Sequence, residues 1–209
     1  MADYYSDNAD TLFERYNALD FETVHADLLP ILPATPGTAL DIGAGSGRDA
    51  LALAKRGWEV VAVEPAAGLR ELGLVHTQGK PVRWIDDSLP ELNRTRALSE
   101  RFDLILLSAV WMHVPPGQRQ RSLRALADLL TPGGLLYLTL RHGPGDGDRT
   151  FYPVSYREVV DGGAREGLND ITRETQAPPR LDLQGRTAVT WETVCLQRPG
   201  EPDHVTDPV

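Results

Sequence analysis

An apolar run that carries an acid at its end and passes straight into three alternate glycines leaves a chain few folds to adopt. Thr38-Ala39-Leu40-Asp41-Ile42 reads as a buried strand. Gly43, Gly45 and Gly47 follow, and Ala50, Leu51, Leu53 and Ala54 then recur at helical spacing until Gly57 stops the helix. Strand, tight turn and helix in that order form the crossover of a nucleotide-binding α/β sheet. The glycines permit positive φ and let a ligand approach the backbone without meeting a Cβ.

The spacing separates two ligand classes. A dinucleotide fingerprint is Gly-x-Gly-x-x-Gly; here the third glycine comes one residue early, and Arg48 stands where that pattern needs it. Asp41 would set a negative charge beside an incoming pyrophosphate, whereas it suits a ligand bearing an ammonium group. The stretch resembles motif I of the class I S-adenosylmethionine (SAM) methyltransferases, Asp/Glu-x-Gly-x-Gly-x-Gly, which Asp41, Gly43, Gly45 and Gly47 match in full. The resemblance implies SAM as methyl donor, S-adenosylhomocysteine (SAH) as product and no metal. It also implies that Asp41 and the turn Gly43-Ala44-Gly45-Ser46-Gly47 hold the donor.

Residues 59–64 read as the second strand, ending in Glu64 about 20 residues beyond the turn, where an acid can accept both ribose hydroxyls; Pro65 closes it. Residues 82–85 read as the third, followed by Asp86-Asp87-Ser88-Leu89-Pro90. In the resembled family an acid here accepts the adenine amino group, and the next amide reads a ring nitrogen. The Leu89-Pro90 pattern favours Asp87 with Ser88, and Asp86 stays open as the alternative. Residues 102–108 are apolar throughout, as in a central parallel strand covered on both faces. Ser108 and Ala109 lead from its end into the ligand crevice, with Trp111 and His113 beyond them on the substrate side. From 102 to 140 the chain resembles the family's later strand, helix, Pro-Gly-Gly turn and strand. With motif I the likeness covers residues 36–145.

Ahead of the first strand, Leu12, Phe13, Tyr16, Leu19 and Phe21, and then Val24, Leu28 and Leu29, predict two helices closed by Pro30, Pro33 and Pro36. The resemblance makes residues 1–35 a helical lid over cofactor and substrate, with Tyr4, Tyr5, Arg15 and Tyr16 as its contacts. Arg141 and His142 open a Gly-rich loop, 141–148, above the crevice. Residues 155–168 predict a helix with a Ser155–Glu158 capping box. Residues 170–176 and 187–197 predict the final two strands, which the family closes as a hairpin. The polar, Pro-rich stretch 199–209 predicts a disordered tail. The expected fold over 36–198 is thus a seven-stranded, mostly parallel, doubly wound Rossmann-like sheet with an antiparallel last strand.

A formal charge of −9 disfavours bulk nucleic acid as a partner, because phosphate contacts need Lys and Arg. The single cysteine, Cys195, gives no disulfide framework and no thiolate cluster. No apolar run reaches the ~18 residues of a membrane span, and the acidic start is unlike a signal peptide, so a cytoplasmic location is expected. Ser108-Ala109-Val110-Trp111 lacks the Asp/Asn-Pro-Pro-aromatic motif of base amino-methylases. The acidic ligands of metal-dependent catechol-type enzymes are missing from this strand end, and Cys195 lies too late to act as a cytosine-C5 nucleophile. What remains is methyl transfer to a small molecule by in-line displacement, in which placement does much of the work. His113 is the first candidate base and His142 the second; Trp111 offers an aromatic wall to a sulfonium. His113 equally reads as a packed core histidine. Two alternatives stay open: a tRNA or protein methylase served by a basic strip at Arg119, Arg121 and Arg124, and a non-catalytic SAM- or SAH-binding module. A nucleotide-dependent oxidoreductase is disfavoured by the glycine spacing. Neither the acceptor atom nor the oligomeric state is written in the sequence.

Overall fold

Five strands run parallel: β1 (Thr38–Ile42), β2 (Glu59–Val63), β3 (Val82–Ile85), β4 (Phe102–Leu107) and β5 (Leu130–His142). Two short strands, β6 (Asn169–Asp170) and β7 (Arg180–Leu181), and a long one, β8 (Thr190–Gln197), complete the sheet. The order is β3-β2-β1-β4-β5-β8-β6, with β7 also paired to β8, and β8 is antiparallel to its neighbours. The expected seven-stranded Rossmann-like sheet is therefore present, and β7 adds one short rung. The computed structural model describes residues 2–145, 149–175 and 180–200. The expected tail falls almost wholly outside them, as do residues 146–148 of the expected 141–148 loop.

Side chains alternate across a strand, so each strand's sequence divides between two layers. Leu40 and Ile42 of β1, Val61 and Val63 of β2, and Ile105 and Leu107 of β4 pack with Leu123 and Leu126 of α7 (Pro116–Leu129) and Val159 of α8 (Tyr156–Arg165). Ala39, Val60, Ala62, Leu104 and Leu106 face the other way, against Ala50 and Leu53 of α4 (Arg48–Lys55) and against Phe21 and Leu28. With both faces covered, β4 has no polar side for its sequence to show. The two further helices of this half are α5 (Ala67–His76) and α6 (Asn93–Arg96).

The stretch ahead of β1 forms three short helices, α1 (Ala2–Asp7), α2 (Ala9–Asn17) and α3 (Phe21–Val24), and a 3₁₀ turn at Leu29–Ile31. Asp20 ends α2's run and caps α3 by accepting from the Thr23 amide, which explains the additional break. Ala9 and Leu12 pack on Ala66 and Leu69 at the start of α5, with Tyr4, Tyr5 and Tyr16 against them.

Three expectations need correction. Ser155 precedes α8 but its side chain makes no cap, because Glu158 accepts from Arg119 Nη1 at 2.5 Å instead of turning back. The Pro-Gly-Gly segment is no simple turn before β5 but a bulge within it, between the Phe102↔Leu130 and Leu104↔Leu135 pairings, with Gly133 at φ +78°. The strand expected at 170–176 stops at Asp170: its Oδ1 accepts from both the amide and the hydroxyl of Thr172, an Asx turn that bends the chain into a 3₁₀ turn at Thr172–Thr175.

Candidate active site

The strand order reverses between β1 and β4, and a crevice must open above the carboxyl ends of strands at such a point. A cavity of about 510 Å³ lies there. Its floor is the turn after β1. The Gly43 and Ala44 amides donate to the Val63 carbonyl at 2.8 and 3.0 Å, which ties the turn to β2, and Gly45 takes φ +53°. A Cβ at Gly43 would sit 2.5 Å from Val110 Cγ2, and one at Gly45 would meet the Tyr16 ring at 3.5 Å. Ser46 completes this floor.

Glu64, one residue past β2, is buried beside the turn. Its Oε2 accepts from the Gly45 amide and its Oε1 from the Ala66 amide, both at 2.9 Å. Burial raises its pKa, while these two hydrogen bonds pull it down. Each oxygen keeps a lone pair for a ligand hydroxyl. Pro65 lines the same wall. Past β3, Asp87 and Ser88 line the cavity, whereas Asp86 turns outward to Arg94, at 3.1 Å, and to Arg70. Asp87 Oδ2 accepts from the Thr95 amide and hydroxyl, and its Oδ1 from the Ser88 amide. Past β4, Ser108 and Ala109 line the opposite side. Ala109 holds a left-handed φ of +59°, with its amide on Thr139 Oγ1 at 2.8 Å.

His113 reaches the cavity from a 3₁₀ turn, Trp111–His113. Its Nε2 lies 2.9 Å from the hydroxyl of Tyr5, which comes from α1. Arg149 Nη1 donates to that hydroxyl at 3.3 Å. Phe151 packs on His113 with ring centroids 5.0 Å apart, and Arg141 lies over the Phe151 ring at 4.7 Å. Tyr16 lines the cavity from α2, its pKa raised by burial and by Tyr5. Arg15, also from α2, bonds Gln184 Oε1 across the opening at 2.8 Å.

Five expected residues lie outside this lining, and one of them, Tyr4, packs instead on the Ala9, Leu12, Ala66 and Leu69 cluster. Trp111 is fully buried in the core beneath its own turn, with Arg119 over its ring at 6.0 Å; it is no cavity wall. His142 follows Arg141 on β5, and alternation lets only one of them face the cavity; His142 pairs instead with Glu192 at 3.0 Å. Gly47 caps α4 in the left-handed conformation, and a Cβ on it would sit 2.8 Å from Trp84, so it sets helix–sheet packing. Asp41 shares the α4 face with Ala62 and Leu106, its register partners, and is buried under the turn.

Asp41 is nonetheless electrostatically joined to the site. Burial raises its carboxyl well above the usual range, Asp49 adds repulsion, and Arg48 opposes both. For Asp49, burial also disfavours charge, but His25 Nε2, at 3.0 Å, and Arg48 outweigh it and keep the group ionised. Among the described residues Asp41 Oδ2 has no hydrogen-bond partner. A group whose folded pKa is raised supplies stability that is complete below the unfolded value and lost as pH rises through the folded one. Asp41→Asn, which cannot ionise, is therefore expected to raise the melting temperature of the ligand-free protein at pH 8, with the gain shrinking toward pH 4. Thermal unfolding across that range checks it.

A sequence-family model described as a methyltransferase domain matches residues 13–164, well over half of the chain. The chain belongs to the class I SAM-dependent methyltransferases. Solved structures share the fold. The Burkholderia thailandensis 1,6-didemethyltoxoflavin-N1-methyltransferase, with 1,6-didemethyltoxoflavin and SAH bound, is 18% identical at a TM-score of 0.70, over 95% of this chain and 87% of that one. The magnesium protoporphyrin IX methyltransferase of Synechocystis with bound SAH is 15% identical at 0.68, over 94% and 99%. The N-methyltransferase NodS of Bradyrhizobium japonicum is 17% identical at 0.62, over 91% and 98%. No curated protein sequence matches.

In this methyltransferase several cavity residues had no signal in the sequence. Arg149 and Phe151 lie in irregular chain, Asp182 holds Arg186 within the loop after β7, and Trp191 reaches them through the β7–β8 pairing. Asp182 is disfavoured as an anion by burial, yet hydrogen bonds from Arg186 and from Trp191 Nε1, the latter 2.9 Å, hold it well below the usual carboxylate range. Among the described residues no helix is long and apolar enough to cross a membrane, and no three His, Cys, Asp or Glu side chains are grouped to hold a metal ion.

Proposed function

We propose that this cavity binds SAM along the Gly43–Gly45 turn and methylates a small-molecule acceptor beside His113. One observation supports this above the others: a buried carboxylate, Glu64, is fixed by the Gly45 and Ala66 amides at the edge of a turn that carries glycine at 43, 45 and 47. Its free lone pairs suit a ribose diol. Asp87 and Ser88 suit an adenine edge, since Asp87 faces the cavity and Asp86 does not. Asp49, which lines the cavity and is held ionised, favours an ammonium group over a phosphate. When bound, SAM supplies a methyl group on a positively charged sulfur.

The remaining work falls to the protein. The acceptor's lone pair forms the new bond to the methyl carbon, and the sulfur keeps the pair of the bond that breaks. If the acceptor carries a proton, it passes to His113 Nε2, whose position is held by the Tyr5 hydroxyl 2.9 Å away. The N-terminal helices carrying Tyr5, Arg15 and Tyr16 act as the lid that keeps water from this end.

The basic strip does not support a macromolecular acceptor: Arg119 pairs with Glu158, Arg121 with Glu91 and Arg124 with Glu166. Calorimetry with SAM, SAH and NAD tests the donor, and saturable binding of NAD but not SAH would overturn it. His113→Ala is expected to lower kcat about a hundredfold while moving the SAH dissociation constant less than twofold, and Tyr5→Phe is expected to lower kcat by a smaller factor. Equal losses in binding and turnover would make His113 a packing residue.

A further inference from the structure

We propose, resting on the donor reading above, that Asp49 and Arg48 take the α-amino-acid end of the donor and that His25 is the positioning residue that holds Asp49 there. The motif acid, Asp41, is not the group that meets the ligand. It lies beneath the turn, outside the cavity lining, whereas Arg48 and Asp49 at the start of α4 both line the cavity. Two acids this close ionise unequally. His25 and Arg48 outweigh burial and keep Asp49 charged, while burial and that charge together drive Asp41 toward its neutral form. The carboxylate at the cavity is therefore the one that carries the charge.

Arg48 Nε donates to Asp49 Oδ1 at 2.6 Å, and Arg48 Nη2 donates to Oδ2 at 2.9 Å. His25 Nε2 lies 3.0 Å from Oδ2. An ionised carboxylate only accepts, so Nε2 carries the hydrogen of that bond. A carboxylate offers about four lone-pair sites, which leaves one on Oδ1 for a ligand N–H. Arg48 Nη1 reaches the Tyr16 carbonyl at 3.4 Å and keeps its second hydrogen for an anion. An α-amino acid bears an ammonium and a carboxylate on a single carbon, and this adjacent anion and cation match the two.

His25 follows α3 and is fully buried, its ring against Phe21 and Tyr137 at centroid distances of 4.9 and 5.6 Å. Among the described residues its side chain hydrogen-bonds Asp49 alone, and Nδ1 has no partner. An apolar ring would fill this place without leaving a buried nitrogen unsatisfied. Packing therefore does not account for an imidazole here, and the bond to Asp49 does.

Calorimetry on the full chain tests this with two probes: SAH, and 5′-methylthioadenosine, which keeps the adenosyl group and lacks the amino-acid end. Asp49→Asn and His25→Phe are each expected to weaken SAH about tenfold or more, the loss of a hydrogen bond to a charged group. Both should move 5′-methylthioadenosine by less than about twofold. His25→Gln, whose amide nitrogen can stand in for Nε2, should recover most of what His25→Phe loses. Asp41→Asn should weaken SAH less than Asp49→Asn does. Melting temperatures show which variants are folded, and if Asp49→Asn is not, the two His25 variants decide. SAH affinity unchanged in the variants, equal losses for both probes, His25→Gln no better than His25→Phe, or a larger loss at Asp41 than at Asp49 would each overturn the proposal. If the wild-type chain binds neither probe, the donor reading falls first; if it binds SAH and the variants show no selective loss, only this assignment falls.

Discussion

Gly45→Val is expected to abolish SAM binding while leaving a folded protein. Two effects combine. Gly45 sits at φ +53°, where a residue with a Cβ pays about 1–2 kcal/mol, and a β-branched one is the worst suited. The added carbon would lie 3.5 Å from the Tyr16 ring, in ordinary contact, so the backbone need not move to admit it. Its two methyl groups would then occupy the space between turn and lid that the donor requires. Calorimetry should show no heat of binding at millimolar SAM, with the melting temperature lowered by only a few degrees. Saturable binding within tenfold of the wild type would show that the donor does not lie along the turn.

Glu64→Ala is expected to weaken SAM binding about a thousandfold, from two lost hydrogen bonds to a charged acceptor at about 2 kcal/mol each. It should also destabilise the protein, which motif spacing alone does not foretell. Removing the carboxylate strips the Gly45 and Ala66 amides of their acceptors, and a buried donor left without one costs about 1–3 kcal/mol. Glu64→Gln separates the two roles. Its remaining oxygen serves one amide, so the melting temperature should recover in part, while a ribose diol loses the anionic acceptor and affinity stays low. Equal affinities for wild type and both variants would remove Glu64 from the donor site.

What could be read from the sequence was local. The run from Thr38 to Lys55 and the acid after β2 sit within short stretches whose spacing fixes backbone geometry, so the turn and Glu64 fall where expected. Direction was harder. Whether Arg141 or His142 enters the cavity depends on strand parity relative to β8, and Asp41 lies under α4 because it shares the parity of Ala39. Trp111 and His113 are two residues apart on a tight turn, and the larger, more apolar side chain goes to the core. The roof was harder still. Arg149 and Phe151 lie in irregular chain, and Asp182 meets Trp191 through the β7–β8 pairing, and no periodicity in any one segment announces either.

The hydrogen bond between Arg15 and Gln184 has a wider consequence. The segments that meet above the cavity come from before β1 and after β5, while the Gly43–Gly45 turn, Glu64 and Asp87 come from between them. The roof of the cavity can therefore change through substitutions in the flanks, with the glycine turn beneath it left untouched. The solved methyltransferases of Burkholderia thailandensis and Synechocystis share this architecture at under 20% identity.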